Sequence, residues 1–209
     1  MKVTGVEELS KSRSKVFIDG ELAFVLYRGE LRTYGIREGA ELEQADYDAI
    51  MGEVLPKRAK LRAMNLLTKR EYTEQQLRRK LTDGFYPPEV IDEALAYVAG
   101  FHYTDDLRYA VTFITDHEAT RSRRRIEQDL TRRGIDRRTL EAAWAEWESD
   151  GGTQDEAAMI RALLSKKRYD PEHADIAEKR RIYAFLMRKG YSAEAVRRAL
   201  RTEELDTFA

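Results

Sequence analysis

One pattern of apolar and polar positions occurs three times along the chain. Each copy has two apolar residues four positions apart, then polar or basic residues, a glycine and a bulky apolar residue, and the copies are residues 77–85, 126–135 and 182–191. Apolar positions three or four residues apart lie on one face of an α-helix. A spacing of about fifty residues between copies is typical of tandem structural repeats. The pattern therefore predicts three similar helical units.

Signals for helix starts recur within these units. Thr73 with Gln76, and Thr153 with Glu156, fit a capping box, in which two side chains satisfy exposed backbone N–H groups reciprocally. We therefore predict that a helix begins after each threonine.

Prolines and glycines predict further helix ends. The prolines in residues 86–88 and 170–171 indicate helix starts, because the fixed φ angle of proline suits the first helical turn. Gly84, Gly134 and Gly190 each follow a polar or basic turn, and glycine adopts the left-handed conformation that ends a helix at little cost. Each unit is thus predicted to contain three short helices.

The predicted helices follow one order in all three units. They are residues 56–68, 73–82 and 87–99 in the first unit, a helix from residue 104 and then 121–132 and 136–148 in the second, and three helices from residue 153 to about 201 in the third. Extra residues between 169 and 182 predict a longer second helix in the third unit.

The units also match beyond the glycine. A bulky residue follows at the next position and an apolar residue at the sixth. These pairs are Phe85 and Val90, Ile135 and Leu140, and Tyr191 and Val196. In the first unit the glycine follows the second apolar residue by three positions, whereas in the other two units it follows by four.

The N-terminal segment has a different pattern. Two β-prone runs, residues 15–18 and 21–27, are joined by Asp19 and Gly20, a pair that favours the positive φ angles of a tight hairpin turn. Because an isolated hairpin is marginal in water, we expect it to pack on a helix predicted at residues 44–55 and to cap the first unit. The alternative is an edge strand that binds a partner.

The predicted fold class is all-α, apart from this small N-terminal β-hairpin. We expect three tandem three-helix repeats in an elongated, curved array, with the hairpin and its helix as a cap. The predicted domains are the cap at residues 1–55 and the repeats at residues 56–101, 102–150 and 151–209.

Composition excludes several classes of protein. Of the 209 residues, 36% are charged, against about 25% in an average globular domain, which indicates a heavily charged surface. No cysteine is present, so disulfides, thiolate metal sites and cysteine nucleophiles are excluded. The first residues are too polar for a secretory signal, and no apolar run approaches the ~20 residues of a membrane span. We therefore expect a cytoplasmic protein without a membrane partner.

A net charge of −1 conceals two strongly basic segments. Residues 57–80 contain nine basic and two acidic residues, and residues 121–138 contain eight arginines and three acidic residues. A planar guanidinium group can bind phosphate or carboxylate through two hydrogen bonds, so these segments indicate an anionic partner. For any single residue the simpler alternative is a solvated helix face with ion pairs at i+4. Arg123, Arg124 and Arg125 cannot all lie on one side of a helix, so we expect at least one to pack along apolar surface through its stem.

Other polar residues do not form a recognisable catalytic site. His102, His117 and His173 lie in separate units without metal-ligand spacing, and no glycine-rich phosphate-binding loop occurs. Asp105 and Asp106 follow a threonine and suit a helix N-terminus electrostatically. We therefore predict no catalytic residues, no metal and no cofactor.

Two tryptophans and two glycines mark the end of the second unit. We interpret Trp144 as a core residue and place Trp147 at a junction between units. Gly151 and Gly152 make the segment after Trp147 a better hinge candidate than residues 101–104.

Several segments resemble the bacterial RecX regulatory proteins. Residues 66–81, with 84–85 and 90–95, look like the first repeat of that family. Residues 101–110 are similar to the junction between its first and second repeats, and residues 125–135 match its second repeat. The shorter loop before Gly84, the residues at 102–103 and an acidic connector at 146–156 depart from the family pattern.

The resemblance implies a regulator of the recombinase RecA that has no catalytic residues of its own. Such a regulator binds the RecA–DNA filament and most often inhibits its ATPase, strand-exchange and coprotease activities. The alternative is a sequence-independent DNA-binding module, since three-helix units with basic helices also resemble helix-turn-helix proteins. We expect a monomer whose partner is the RecA filament and whose direct binding to single- or double-stranded DNA is weak. The predicted partner-binding residues are Arg78, Arg79, Lys80, Arg121, Arg123, Arg124, Arg125, Arg132 and Arg133.

Overall fold

A computed structural model describes residues 1–201 of the chain. The chain divides into two compact units, the first covering Met1–Asp105 and the second beginning at Asp106. Among the described residues, no helix is both long enough and apolar enough to span a membrane.

The chain begins with a three-stranded antiparallel sheet in the order β1-β2-β3. The strands are β1 (Val3–Ser10), β2 (Arg13–Ile18) and β3 (Glu21–Tyr27). The predicted hairpin is β2–β3, and Asp19 and Gly20 both take positive φ angles in its turn. The prediction of two strands was incomplete because β1 contains a glycine and two consecutive glutamates, and two register shifts disturb the alternation of buried and exposed positions.

The helices of the first unit pack on this sheet in one continuous core. They are α1 (Arg28–Thr33), α2 (Gln44–Ala49), a π-helical turn (Ile50–Val54), α3 (Leu55–Leu67), α4 (Glu74–Thr82) and α5 (Pro88–Gly100). Buried residues of the sheet, such as Phe24, belong to the same hydrophobic cluster as Leu77 and Leu81 of α4. The cap and the first repeat therefore share a core, and the helical run passes through the predicted domain boundary at residue 55.

The second unit contains two further three-helix repeats. Repeat two consists of α6 (Asp106–His117), α7 (Arg123–Arg132) and α8 (Arg137–Ser149), and repeat three consists of α9 (Glu156–Lys166), α10 (Ile176–Arg188) and α11 (Ala193–Leu200). Each repeat has a hydrophobic cluster of its own. The predicted order of three helices per repeat is confirmed, as is the greater length of α10 relative to α4 and α7.

The turn between the second and third helices is the same in all repeats, but the sequence predicted its register wrongly in the first. A backbone N–H donates to the carbonyl five residues earlier, from Tyr86 to Leu81, from Ile135 to Leu130 and from Tyr191 to Leu186. The left-handed residue just before each donor is Phe85 in repeat one, at φ 63°, and glycine in the other two.

The prediction that Gly84 is left-handed was therefore wrong. The matching bulky residue is Tyr86 and not Phe85, and burial raises the pKa of the hydroxyl of both Tyr86 and its equivalent Tyr191. The same shift makes Ile91, rather than Val90, the equivalent of the later apolar position. Sequence reasoning placed the glycine at the turn because a bulky residue in that conformation costs ~1–2 kcal/mol.

Predicted helix caps were correct in the first repeat and wrong in the third. Thr73 and Gln76 form the predicted capping box, and α5 begins at Pro88 as expected. In repeat three, Asp155 and not Thr153 caps α9. The helix predicted to start at Asp170 begins at Ile176, because Asp170 instead stabilises a turn by accepting a hydrogen bond from the N–H of Glu172.

Both tryptophans lie in the core of repeat two. Trp144 and Trp147 are buried and their rings meet edge to face at 5.3 Å. Gly152 lies against Trp147, since a Cβ atom at this glycine would lie 2.3 Å from the indole. Close packing therefore explains Gly152 better than the predicted hinge does, whereas Gly151 has a φ of +87° and no atom near its Cβ position.

Replacing these two glycines by alanine should have unequal effects on stability. Gly151→Ala should lower the free energy of unfolding by about 1 kcal/mol, the cost of a left-handed alanine. Gly152→Ala should cost roughly 2–3 kcal/mol, because the new methyl group displaces a buried ring. Urea denaturation followed by circular dichroism measures both, and a harmless Gly152→Ala would contradict the close packing.

Candidate cationic interface

The middle helix of repeat two and the residues at its two ends hold six of the nine predicted interface residues. One face of α7, here called the arginine helix, buries Ile126 and Leu130 completely. Ser122 caps its N-terminus by accepting a hydrogen bond from the N–H of Arg125 at 3.3 Å. Because the apolar residues fix which face is buried, the arginines of this helix lie on its remaining faces.

A single carboxylate holds three of the predicted arginines together. The side chain of Asp129 is only 11% exposed and accepts from Arg121 at 2.9 Å and Arg132 at 3.2 Å, while Arg125 forms an ion pair with it at 3.3 Å. These contacts gather positive groups that would otherwise repel one another. Each guanidinium group has five N–H donors, so donors remain for a partner.

Arg123 and Arg124 differ although they are neighbours. The guanidinium carbon of Arg123 lies 4.3 Å from the centre of the Trp144 ring, and the same group pairs with Glu127 and Glu148. One arginine of the run therefore packs against an aromatic ring, and the group that lies over the ring is the guanidinium rather than the predicted stem. Arg124 is exposed and has no hydrogen-bond or ion-pair partner within residues 1–201.

Arg133 ends the cluster at the last turn of the arginine helix. Its guanidinium donates to the hydroxyl of Tyr109 at 2.5 Å and lies 4.5 Å from the centre of the Phe113 ring. Stacking on an aromatic face orients a guanidinium group.

A groove of about 760 Å³ runs between the outer surfaces of the arginine helix and α8. Four arginines and two glutamates line it, so its charge is positive. Arg137, at the start of α8, is one of these arginines and forms an ion pair with the exposed Glu141. We call this the arginine groove.

The predicted residues of repeat one lie on α4. Arg78 pairs with Glu74 and with Asp92, and the hydrogen bonds to these carboxylates, chiefly Asp92, raise its pKa above the ordinary value. Arg79 and Lys80 are exposed and have no such partner within residues 1–201. The nine predicted residues therefore form two separate groups. Arg78–Lys80 lie on α4 of the first unit, and the other six residues lie on or beside the arginine helix of the second unit.

Sequence reasoning missed the residues that support the arginines. Asp129 could have been found, because Arg125 and Arg132 lie four residues before and three residues after it, the spacings at which helix side chains meet. Trp144 and Tyr109 could not, since they reach the arginines through the tertiary fold. Within the described residues, no group of three or more metal-ligating side chains is present.

Three family models match consecutive parts of the chain. They describe the first, second and third three-helix domains of RecX and match residues 59–97, 105–143 and 154–200. The regulatory protein RecX of Caldanaerobacter subterraneus subsp. tengcongensis is 31% identical over 202 residues, which cover 96% of this chain and 98% of that protein. This chain belongs to the RecX family. The matched ranges lie on α3–α5, α6–α8 and α9–α11, so each family domain corresponds to one repeat.

Another member agrees with this assignment, and two solved structures share the fold. The regulatory protein RecX of Chromobacterium violaceum is 33% identical over 152 residues, covering 73% of this chain and 95% of that protein. A crystal structure of regulatory protein RecX superposes with a TM-score of 0.61 at 22% identity, covering 96% of this chain and 98% of that one. RecX from Lactobacillus salivarius superposes at 0.56 and 17% identity, covering 70% and 95%. These structures share the fold of this chain.

Removing the charge of Asp129 should destabilise repeat two and loosen the arginines. Asp129→Asn should lower the free energy of unfolding by about 1–3 kcal/mol, because hydrogen bonds between charged groups in a partly buried place are lost. Glu141→Gln is the matched control, since the side chains of Glu141 and Arg137 are 65% and 91% exposed and solvent screens their ion pair, so its loss should change stability little. Equal losses in urea denaturation would contradict the anchoring role of Asp129.

Proposed function

We propose that this RecX family protein binds the RecA–DNA filament and inhibits its ATPase, strand-exchange and coprotease activities. It does so by occupying the filament and performs no reaction of its own. Family membership supports a regulatory role. The observation that carries the proposal is the arginine helix, where Asp129 holds three arginines in place and Arg124 is exposed with no hydrogen-bond or ion-pair partner among the described residues.

The geometry suits a polyanionic surface. A RecA–DNA filament offers carboxylates and phosphates, and a guanidinium group can bind either through two parallel hydrogen bonds. An arginine that is already held by a carboxylate or an aromatic ring loses less conformational entropy on binding than a free one. The supported arginines of repeat two are therefore better contact residues than an equal number of mobile lysines.

The nine residues predicted from the sequence remain our proposed contacts, and they differ in their roles. Arg124, Arg79 and Lys80 are exposed, have no hydrogen-bond or ion-pair partner in the part of the chain that the structure describes, and are proposed to bind the filament directly. Arg123 and Arg133 stack on aromatic rings, so a substitution there also affects the packing of repeat two. The remaining members of the set, which are held by carboxylates, are Arg78, Arg121, Arg125 and Arg132.

Titrating the protein into a DNA-dependent RecA ATPase assay tests this function. The wild-type protein should lower ATP hydrolysis at a low ratio to RecA. Arg124→Glu should raise the concentration needed for half inhibition about tenfold, which corresponds to a loss of ~1.4 kcal/mol in binding. The fold should be retained, because Arg124 has no hydrogen bond or ion pair to lose within residues 1–201.

Arg161→Glu is the charge-matched control for this variant. Arg161 lies on α9, its side chain is 67% exposed, and its ion pair with Asp155 is long, at 3.8 Å. Arg161→Glu changes the net charge by the same amount as Arg124→Glu, but outside the arginine groove. The concentration needed for half inhibition should therefore shift less than about twofold. Equal effects of the two variants would contradict the assignment of Arg124, and an unaffected ATPase with wild-type protein would contradict the function.

A further inference from the structure

The first turn of the arginine helix meets the last turn of α10 in repeat three. The hydroxyl of Ser122 donates to the carbonyl oxygen of Lys189 at 2.8 Å, and the same hydroxyl accepts from the N–H of Arg125. One hydroxyl can donate one hydrogen bond and accept others, so it serves both helices at once. The cap of the arginine helix is therefore shared with repeat three.

Gly190 makes this approach possible. Its φ of +87° belongs to the left-handed region, and a Cβ atom at this position would lie 2.7 Å from the Ser122 hydroxyl and 3.2 Å from the backbone nitrogen of Arg125. Two separate constraints thus require glycine. The second of them is a contact with repeat two and not a property of the turn itself.

Gln154, in the segment that leads into repeat three, holds the chain just before the arginine helix. Its side-chain nitrogen donates to the carbonyl oxygens of Glu118 and Arg121, both at 2.7 Å. The two N–H groups of one amide therefore fix both ends of the segment between α6 and the arginine helix.

The arginine helix needs this support for electrostatic reasons. Its first turn contains Arg123, Arg124 and Arg125 and no acidic residue, although the N-terminal end of a helix carries partial positive charge. Ten residues are also too few for a helix to be stable alone. The carbonyl oxygen of Lys189, at the C-terminal end of α10, carries partial negative charge and lies at the positively charged N-terminus of the arginine helix.

We propose that repeat three positions the arginine helix, with Gln154, Ser122 and Gly190 as positioning residues, so that repeat two can bind the filament only while this contact is intact. The inference rests on the proposed function, because it concerns the same arginines. Repeat three thereby acts on the filament through repeat two, in addition to any contact of its own.

Gly190→Ala breaks the contact, and Gly151→Ala is its matched control. Both glycines have a φ of +87°, but Gly151 has open space at its Cβ position. The two variants therefore share the backbone strain, and only Gly190→Ala pushes against the arginine helix. In the RecA ATPase assay, half inhibition should need about tenfold more Gly190→Ala protein and less than about twofold more Gly151→Ala protein. Circular dichroism must first show that both are folded.

Gln154→Ala tests the same proposal without introducing a clash. It removes two hydrogen bonds that hold the chain before the arginine helix, so half inhibition should shift about fivefold while the helical content is retained. If Gly190→Ala does not fold, this variant decides the question. Wild-type potency of folded Gln154→Ala would overturn the proposal.

Combining these variants with Arg124→Glu separates positioning from general destabilisation. If Gly190→Ala misplaces Arg124, then adding Arg124→Glu should change half inhibition less than about twofold in that background and about tenfold in the Gly151→Ala background. The same tenfold effect in both backgrounds would overturn the proposal. Wild-type protein that fails to inhibit RecA would instead contradict the proposed function, so the two failures are distinguishable.

Discussion

The interaction on which the rest of the structure depends is the burial of two apolar residues, one helical turn apart, on the middle helix of each repeat. Leu77 and Leu81 in α4 and Ile126 and Leu130 in the arginine helix have no solvent-exposed surface. Full burial of such a side chain stabilises a fold by ~1.5–3 kcal/mol relative to its exposure. This burial sets the rotation of each helix, and the basic residues beside the apolar pair consequently face outward.

Arginines that face outward close together repel one another, and repeats one and two offset this repulsion with side chains of their own. In repeat two, these are the nearly buried carboxylate of Asp129 and the rings of Trp144 and Phe113. In repeat one, Arg78 is held by two exposed carboxylates, which contribute less because solvent screens them. The arginine helix is thus the better organised surface, and its capping residue is shared with repeat three.

The fold could be predicted largely from the sequence because each repeat is built from helices and turns whose signals lie within a few residues of one another. The capping box of Thr73 and the hairpin turn at Gly20 are short-range signals, and both were correct. The left-handed residue of the first repeat was misplaced, because its loop is one residue shorter before the glycine and the turn is set by hydrogen bonds to Leu81 and not by the glycine. Contacts such as Ser122 to Lys189 join residues 67 positions apart and leave no periodic signal in the sequence.

The sequence predicted the candidate interface as a set of basic residues. The structure adds which of these residues are held by carboxylates or aromatic rings. The central claim is that these arginines bind a polyanionic filament, and co-sedimentation with RecA–DNA filaments across a series of salt concentrations tests it most directly. The account predicts that the protein sediments with the filament at low salt and is released progressively as salt rises, because exposed charges are screened. Absence from the pellet at low salt, or retention that does not depend on salt, would contradict it.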